Sequence, residues 1–140
     1  QSRLSISLLS VALLLSVLGC KSGDRPPLGK VSGTVTIDGK PLVGADVAFM
    51  PETGRPASGV TDENGKYTIK YIGDVGGTKV GKNSVSISTP TGGKTNFPIP
   101  AKYLNIQTSE LTAEVTAGSN TFDFDLQSES DGGAPPAAND

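Results

Sequence analysis

The 140-residue chain has no histidine, no tryptophan and one cysteine. Without histidine it lacks the commonest general base and the commonest nitrogen ligand for a metal. No serine is followed three positions later by lysine, so the Ser-Lys route to an activated nucleophile is missing as well. A single cysteine permits no internal disulfide and, with no histidine to join it, no zinc site. Charged residues make up 19% of the chain and nearly cancel, leaving a net charge of −2. No basic stripe of the kind a nucleic-acid partner requires is present. Aromatics are four Phe and three Tyr, thin material for a surface that stacks on sugar rings. No catalytic residue, metal or cofactor is expected.

What the chain does have is turn formers, Gly 18 and Pro 10. That density suits many short strands and disfavours long helices. One domain is expected over residues 30–127, near the commonest domain size of about 100 residues. Residues 128–140 hold no large apolar side chain. They cannot offset their own ordering entropy and are expected to form a disordered tail.

At the other terminus, Arg3 precedes the apolar run LSISLLSVALLLSVL, and Gly19-Cys20 follows it. A basic residue, an apolar run and a small residue before the cut predict a secretory signal peptide over residues 1–19. The run is shorter than the roughly 20 residues that cross a bilayer. Val17-Leu18-Gly19-Cys20 resembles the lipobox of bacterial lipoproteins. That resemblance implies that Cys20 becomes the first residue, with a diacylglycerol on its sulfur and a further acyl chain on its amine. Two or more chains anchor a protein stably, at roughly 0.8 kcal/mol per buried CH₂. It also implies membrane lipid as a partner through Cys20, and a place in the cell envelope. That place is the outer membrane, the periplasmic face or the cell surface, with Lys21 after the cysteine favouring the outer membrane. Residues 20–29 then make up the lipidated cysteine and its tether.

The stretch from Val31 to Ile69 organises the rest. Val31, Gly33, Val35 and Ile37 alternate with Ser32, Thr34 and Thr36, as in a half-buried strand. Asp38-Gly39 signals a tight turn, because Gly tolerates positive φ. Val47 and Phe49 point inward from a strand over 46–50 that Pro51 ends. A short strand over 57–61 and the turn Asp62-Glu63-Asn64-Gly65 lead to a return strand over 66–71. Ile72 to Gly81 is expected to be a Gly-rich loop, followed by a strand over 82–89 with Val85 and Ile87 inward. Pro90 to Pro100 is a long excursion, and Ala101 to Asn105 suits one helical turn. Leu111, Ala113 and Val115 alternate with polar residues, Gly118-Ser119-Asn120 is expected to turn the chain, and Phe122, Phe124 and Leu126 alternate with Asp123 and Asp125. Seven strands in about 100 residues form the pattern of a β-sandwich.

Gly33, Val35, Asp38, Gly39, Pro41, Leu42, Gly44, Ala45 and Val47 have a spacing that resembles carboxypeptidase regulatory-like domains, which are transthyretin-like sandwiches. Thr61, Asp62, Gly65 and Tyr67 match a second signature of that family. The resemblance covers residues 30–87 and implies an all-β fold: one antiparallel, seven-stranded, Greek-key sandwich. The matched residues are turn and core positions, so they speak to fold and not to activity. The peptidase chemistry in that family's name belongs to a separate zinc domain.

Other motifs fall short. Gly76 to Asn83 approaches a phosphate-binding loop, but Asn83 replaces the Ser/Thr that holds Mg²⁺, and a strand is expected to follow where a helix is needed. Asp62 to Gly65 lacks the further oxygen ligands of a calcium loop. Asp123 and Asp125 read as a solvated strand face. An intramolecular isopeptide bond would need a lysine, an Asn or Asp, and an acid buried together.

The expected role is that of a lipid-anchored, non-enzymatic binding or structural module, whose partner is an envelope protein or a glycan. The alternatives are a carbohydrate-binding module or a docking subunit of a larger envelope assembly. Contact is expected through three loops, Glu52 to Pro56, Ile72 to Gly81 and Pro90 to Asn105, carrying Arg55, Lys79, Phe97, Tyr103 and Leu104. Phe97, Tyr103 and Leu104 either form an apolar docking patch or plug the end of the core; the plug is favoured.

Overall fold

A computed structural model describes residues 25–129. The signal peptide, Cys20 and residues 130–140 of the expected tail lie outside the described residues. Alternation of apolar and polar side chains produces the strands. Along the chain they are β1 (Leu28–Ile37), β2 (Lys40–Pro41), β3 (Asp46–Pro51), β4 (Ala57–Val60), β5 (Lys66–Thr68), β6 (Lys70–Ile72), β7 (Val75–Gly76), β8 (Thr78–Lys79), β9 (Gly81–Ser88), the single turn of helix α1 (Ala101–Leu104), β10 (Leu111–Val115), β11 (Gly118–Thr121) and β12 (Phe124–Leu126).

Two sheets face each other. In the first, β1 is central. β8, β5 and β2 lie antiparallel along one side of it, in that order from its start. β11 and β12 lie along its other side in one continuous register, Gly29 opposite Gly118 through Ile37 opposite Leu126. The second sheet is antiparallel, in the order β10-β9-β3-β4-β6-β7. The result is the expected all-β sandwich.

Three details depart from the sequence reading, each for a physical reason. First, β11 and β12 run parallel to β1. β10 belongs to the second sheet and the chain crosses to the first after it, so the last strand can arrive in either direction. Second, Gly118-Ser119-Asn120 is strand and not turn. The Asn120 side chain makes the corner, accepting from the amide of Thr116 at 3.0 Å and donating to the carbonyl of Lys30 at 3.0 Å. Third, the return strand over 66–71 breaks at Ile69. β5 pairs with β1 and β6 pairs with β4, so the chain changes sheets there and Ile69 is fully buried at the bend. The Gly-rich loop also contains two short strands, β7 and β8.

The turns behave as their residues require. Asp38 and Gly39 both take positive φ, 49° and 79°, the primed geometry of a two-residue hairpin. One carboxylate oxygen of Asp62 accepts from the amides of Asn64 and Lys66 at 2.8 and 2.9 Å, closing the next turn.

Between the sheets the core is Val31, Val35, Leu42, Val47, Phe49, Ile69, Val85, Ile87, Val115 and Leu126, with smaller contributors. Phe49 sits at its middle, with the rings of Tyr67, Phe122 and Phe124 centred 6.3, 6.1 and 6.2 Å away. Phe49 comes from the second sheet and its three neighbours from the first, so this cluster joins the layers.

One junction ties the first sheet together. Tyr67 lies directly across from Gly33 in the β1–β5 ladder. With no side chain at Gly33, the Tyr67 hydroxyl reaches across β1 and donates to the carbonyl of Phe122 at 2.5 Å. The Phe122 amide donates to Ser32 at 2.9 Å, and the Asp123 carboxylate accepts from the amide of Thr34 at 2.9 Å. A Cβ on Gly33 would collide with the Phe122 carbonyl. Burial, and then the nearby charge of Asp123, push the Tyr67 phenol well above its ordinary range.

Tyr67→Phe is expected to cost about 1–2 kcal/mol in chemical denaturation, because it leaves a half-buried carbonyl without its donor. Gly33→Ala is expected to cost about 3 kcal/mol, through the displaced backbone. The folded state keeps the Tyr67 proton at a pH where the unfolded chain has lost it. Stability should therefore fall as pH climbs above about 10, and Tyr67→Phe should flatten that fall.

Candidate functional site

The three expected contact loops do not share one end of the sandwich. β1 starts beside β8, with Leu28 opposite Lys79, and Val80 donates to the carbonyl of Pro27 at 3.0 Å. The Lys79 ammonium reaches the Thr53 carbonyl at 3.0 Å and its hydroxyl at 2.6 Å. Arg55 lies over the ring of Tyr71, 5.9 Å from its centre. Residues 52–56 and 72–81 are thus joined at the end where the chain enters the domain. Residues 90–105 lie at the opposite end, where the Asn96 side chain accepts from Val43 at 2.8 Å and donates to Pro41 at 3.0 Å. The structure brings Arg55 and Lys79 together and sets Phe97, Tyr103 and Leu104 apart from them.

At that far end the favoured core plug forms and the alternative, an apolar docking patch, does not. Tyr103 is buried, 5% exposed, because α1 turns its ring onto the core and its hydroxyl accepts from the Gln127 amide at 3.2 Å. Phe97 is half-buried against the core. Only Leu104 stays in solvent, at 47% exposure. Tyr103 and Phe97 plug the core. The other exposed large apolar residues, Val60 and Ile72, stand singly, as is ordinary for a soluble surface.

Each aromatic ring outside the Phe49 cluster carries a cation. Arg55 covers Tyr71, Lys40 lies 5.8 Å from the centre of Phe97, and Lys102 lies 4.8 Å from that of Tyr103. No bare aromatic face is presented among the described residues, and sugar stacking needs one.

A broad concavity lies on the first sheet. A depression of about 450 Å³ is bordered by Lys30, Ser32, Thr68, Asp74 and Asn120. A second of about 370 Å³, bordered by Thr34, Lys66, Thr121 and Asp123, shares Ser32 and Thr68 with it. Sequence reasoning missed this groove. Its signal was the run of Ser and Thr at alternate positions of β1, read only as a solvated face. It offers hydroxyls and four opposed charges, suited to holding a polar chain by hydrogen bonds. Asp123 and Asp125 are not a catalytic pair: Asp123 holds Thr34, and Asp125 accepts from the Thr36 hydroxyl at 2.6 Å.

The near-miss motifs resolve into structure. Asn83 is fully buried, accepts from the Thr78 hydroxyl at 3.1 Å, and donates to the carbonyls of Lys79 and Gly81, both at 3.0 Å. It shapes the 78–83 loop and leaves no cradle for phosphate. The buried polar residues are Thr61, Thr78, Asn83, Ser86 and Ser109. No lysine or acid is buried with Asn83 among the described residues, so the grouping an isopeptide bond requires is not formed. No group of three potential metal-ligating side chains is found there either. No helix among the described residues is long and apolar enough to cross a membrane.

Two carboxylates are shifted. Ser128, whose amide lies 3.0 Å from Asp38, holds that acid below its ordinary range. Burial raises Asp46. A raised folded pKa means that Asp46 opposes folding once it is ionised, and the penalty disappears as pH falls and both states protonate. Asp46→Asn should therefore stabilise at neutral pH by roughly half a kcal/mol or less after solvent screening, with the gain gone below about pH 4. A thermal melt series over pH reads this. Lys79→Met should cost about 0.5–1.5 kcal/mol and speed amide exchange in residues 52–56 without loosening the core.

No known protein family matches the chain. No curated protein matches it either. A crystal structure of a DUF3823 family protein from Parabacteroides merdae is similar at 15% sequence identity with a TM-score of 0.43, over 74% of this chain and 46% of that one. The chain thus spans under half the length of that protein.

Proposed function

We propose that the protein is a lipid-anchored, non-enzymatic module of the cell envelope, built on a sandwich of the carboxypeptidase regulatory-like, transthyretin-like kind. Cys20 carries the lipid, residues 21–26 set the stand-off, and the sandwich, whose first strand already takes in Leu28 and Gly29, presents surfaces to an envelope partner. The observation that carries the reading is where the chain enters the fold. Pro27 and Leu28 join the domain beside Lys79 and Val80, at one end. An anchor at Cys20 therefore holds that end toward the membrane and turns residues 90–105 outward. The aromatic core and the turn chemistry of Asp38-Gly39 and Asp62–Gly65 support a rigid scaffold, and no catalytic constellation is gathered on it. The partner is an envelope protein in preference to a glycan, since among the described residues Tyr103 is buried, Phe97 is half-buried beside Lys40, and Tyr71 lies beside Arg55.

Intact mass of the membrane-extracted protein tests the anchor. The expected mass is that of a chain starting at Cys20 plus three acyl chains, and Cys20→Ala should lose the lipid. A chain that keeps residues 1–19, or that carries no lipid, contradicts the reading.

A further inference from the structure

Charge is divided between the two ends of the sandwich. The half where the chain enters carries Arg25, Lys30, Arg55, Lys70, Lys79 and Lys82. Among the described residues only Glu52, Asp74 and Glu114 oppose them there. The registers place Lys30, opposite Ser119, and the facing pair Glu114 and Lys82 on the entry side of their strands, and the Ile69 amide bonded to the Val31 carbonyl sets the adjoining Lys70 at the same level, 4.0 Å from Asp74. The other half has four lysines against eight carboxylates, among them Asp38, Asp46, Asp62 and Glu63. The net charge of −2 for the whole chain conceals a positive end and a negative end.

We propose that the entry end is a docking face for anionic phospholipid headgroups. The proposal rests on the anchored reading above. Arg25 is five positions on from Cys20, a reach of at most about 18 Å. An anchor at Cys20 thus keeps the entry end next to the headgroups, and the attraction acts once its basic side chains come within about one Debye length, about 8 Å at physiological salt. Basic side chains near an anionic bilayer are each attracted by about 1 kcal/mol, and carboxylates are repelled. Both halves of the molecule therefore favour one orientation, with Arg55 and Lys82 down and residues 90–105 away from the lipid. Arg55 and Lys82 are exposed and can meet headgroups, Arg55 from its place over the Tyr71 ring and Lys82 from its place opposite Glu114 on β10. Lys79 is half-buried and committed to Thr53, and it contributes charge more than contact.

The test uses the full chain as cells process it, reconstituted into vesicles of phosphatidylcholine with or without phosphatidylglycerol. Amide exchange is followed over residues 52–56, 72–82 and 90–105. The expected result is protection of the first two segments in anionic vesicles alone, reversed by high salt, with residues 90–105 unchanged. Arg55→Gln and Lys82→Gln should each lower the docked-to-free ratio by about fivefold, the equivalent of the roughly 1 kcal/mol per charge above. Equal exchange in both vesicle types, or protection of residues 90–105 in place of the entry end, overturns the docking face. Intact mass of the same preparation separates the two failures. An acylated chain without lipid-dependent protection refutes docking alone, whereas an unacylated chain removes the anchor and the docking proposal with it.

Discussion

The hydroxyl of Tyr67 donates to the carbonyl of Phe122 across a glycine, and the architecture depends on that contact. β1 is central to the first sheet, and strands from four parts of the chain pair with it. Gly33 lets a side chain from β5 pass over β1 and grip the last strand on its far side. The ring that makes this contact also packs on Phe49, which belongs to the second sheet. One residue therefore couples both edges of β1 and both layers of the sandwich. Asp123 completes the junction by standing in for a backbone acceptor at Thr34. A cross-strand aromatic over glycine is a general way to pin sheet register. Here it holds a parallel strand that a hairpin could not place.

A sandwich closed in this way is a rigid block with two distinct ends. Lys79 fastens residues 52–56 to the strand beside the entry point, and Asn83 folds the adjoining loop inward. At the other end Tyr103, Phe97 and Asn96 seal the core beneath a long loop. Neither end gathers titratable groups into a cleft. The groove along the first sheet is lined by hydroxyls and by charges of both signs. This construction provides two rigid, distinct ends, and charge is distributed unevenly between them.

Much of this was legible in the sequence because local chemistry dictated it. Asp38-Gly39 specified its hairpin, since only such residues take two positive φ angles in succession. Alternation placed Val31, Val35, Val47, Phe49, Val85, Ile87, Ala113 and Val115 in the core, and all are buried. The break at Ile69 was hidden because an unbroken alternation looks the same whether a strand stays in one sheet or bends into another. Gly118-Ser119-Asn120 has turn composition, yet pairing with β1 overrode it. Tyr103 was left between a surface patch and the favoured core plug because AKYL has no period long enough to show which side faces inward, and it is buried. The separation of the loops into two ends was not legible either, since it follows from strand order and strand order is a long-range property. The sheet groove was invisible for the same reason: its walls come from β1, β5 and the last strand, far apart in the chain.

Native-state amide exchange in increasing denaturant would probe the junction at Gly33. The amides of Thr34 and Phe122 are the ones to follow, with those of β3 and β9 as the reference for global unfolding. If Tyr67 and Asp123 pin the last strand as described, Thr34 and Phe122 should exchange only through global unfolding, with the same free energy as the reference amides. Exchange of Phe122 at a distinctly lower free energy, with β3 and β9 still protected, would show that the last strand opens on its own and would contradict the account of a sandwich locked across Gly33.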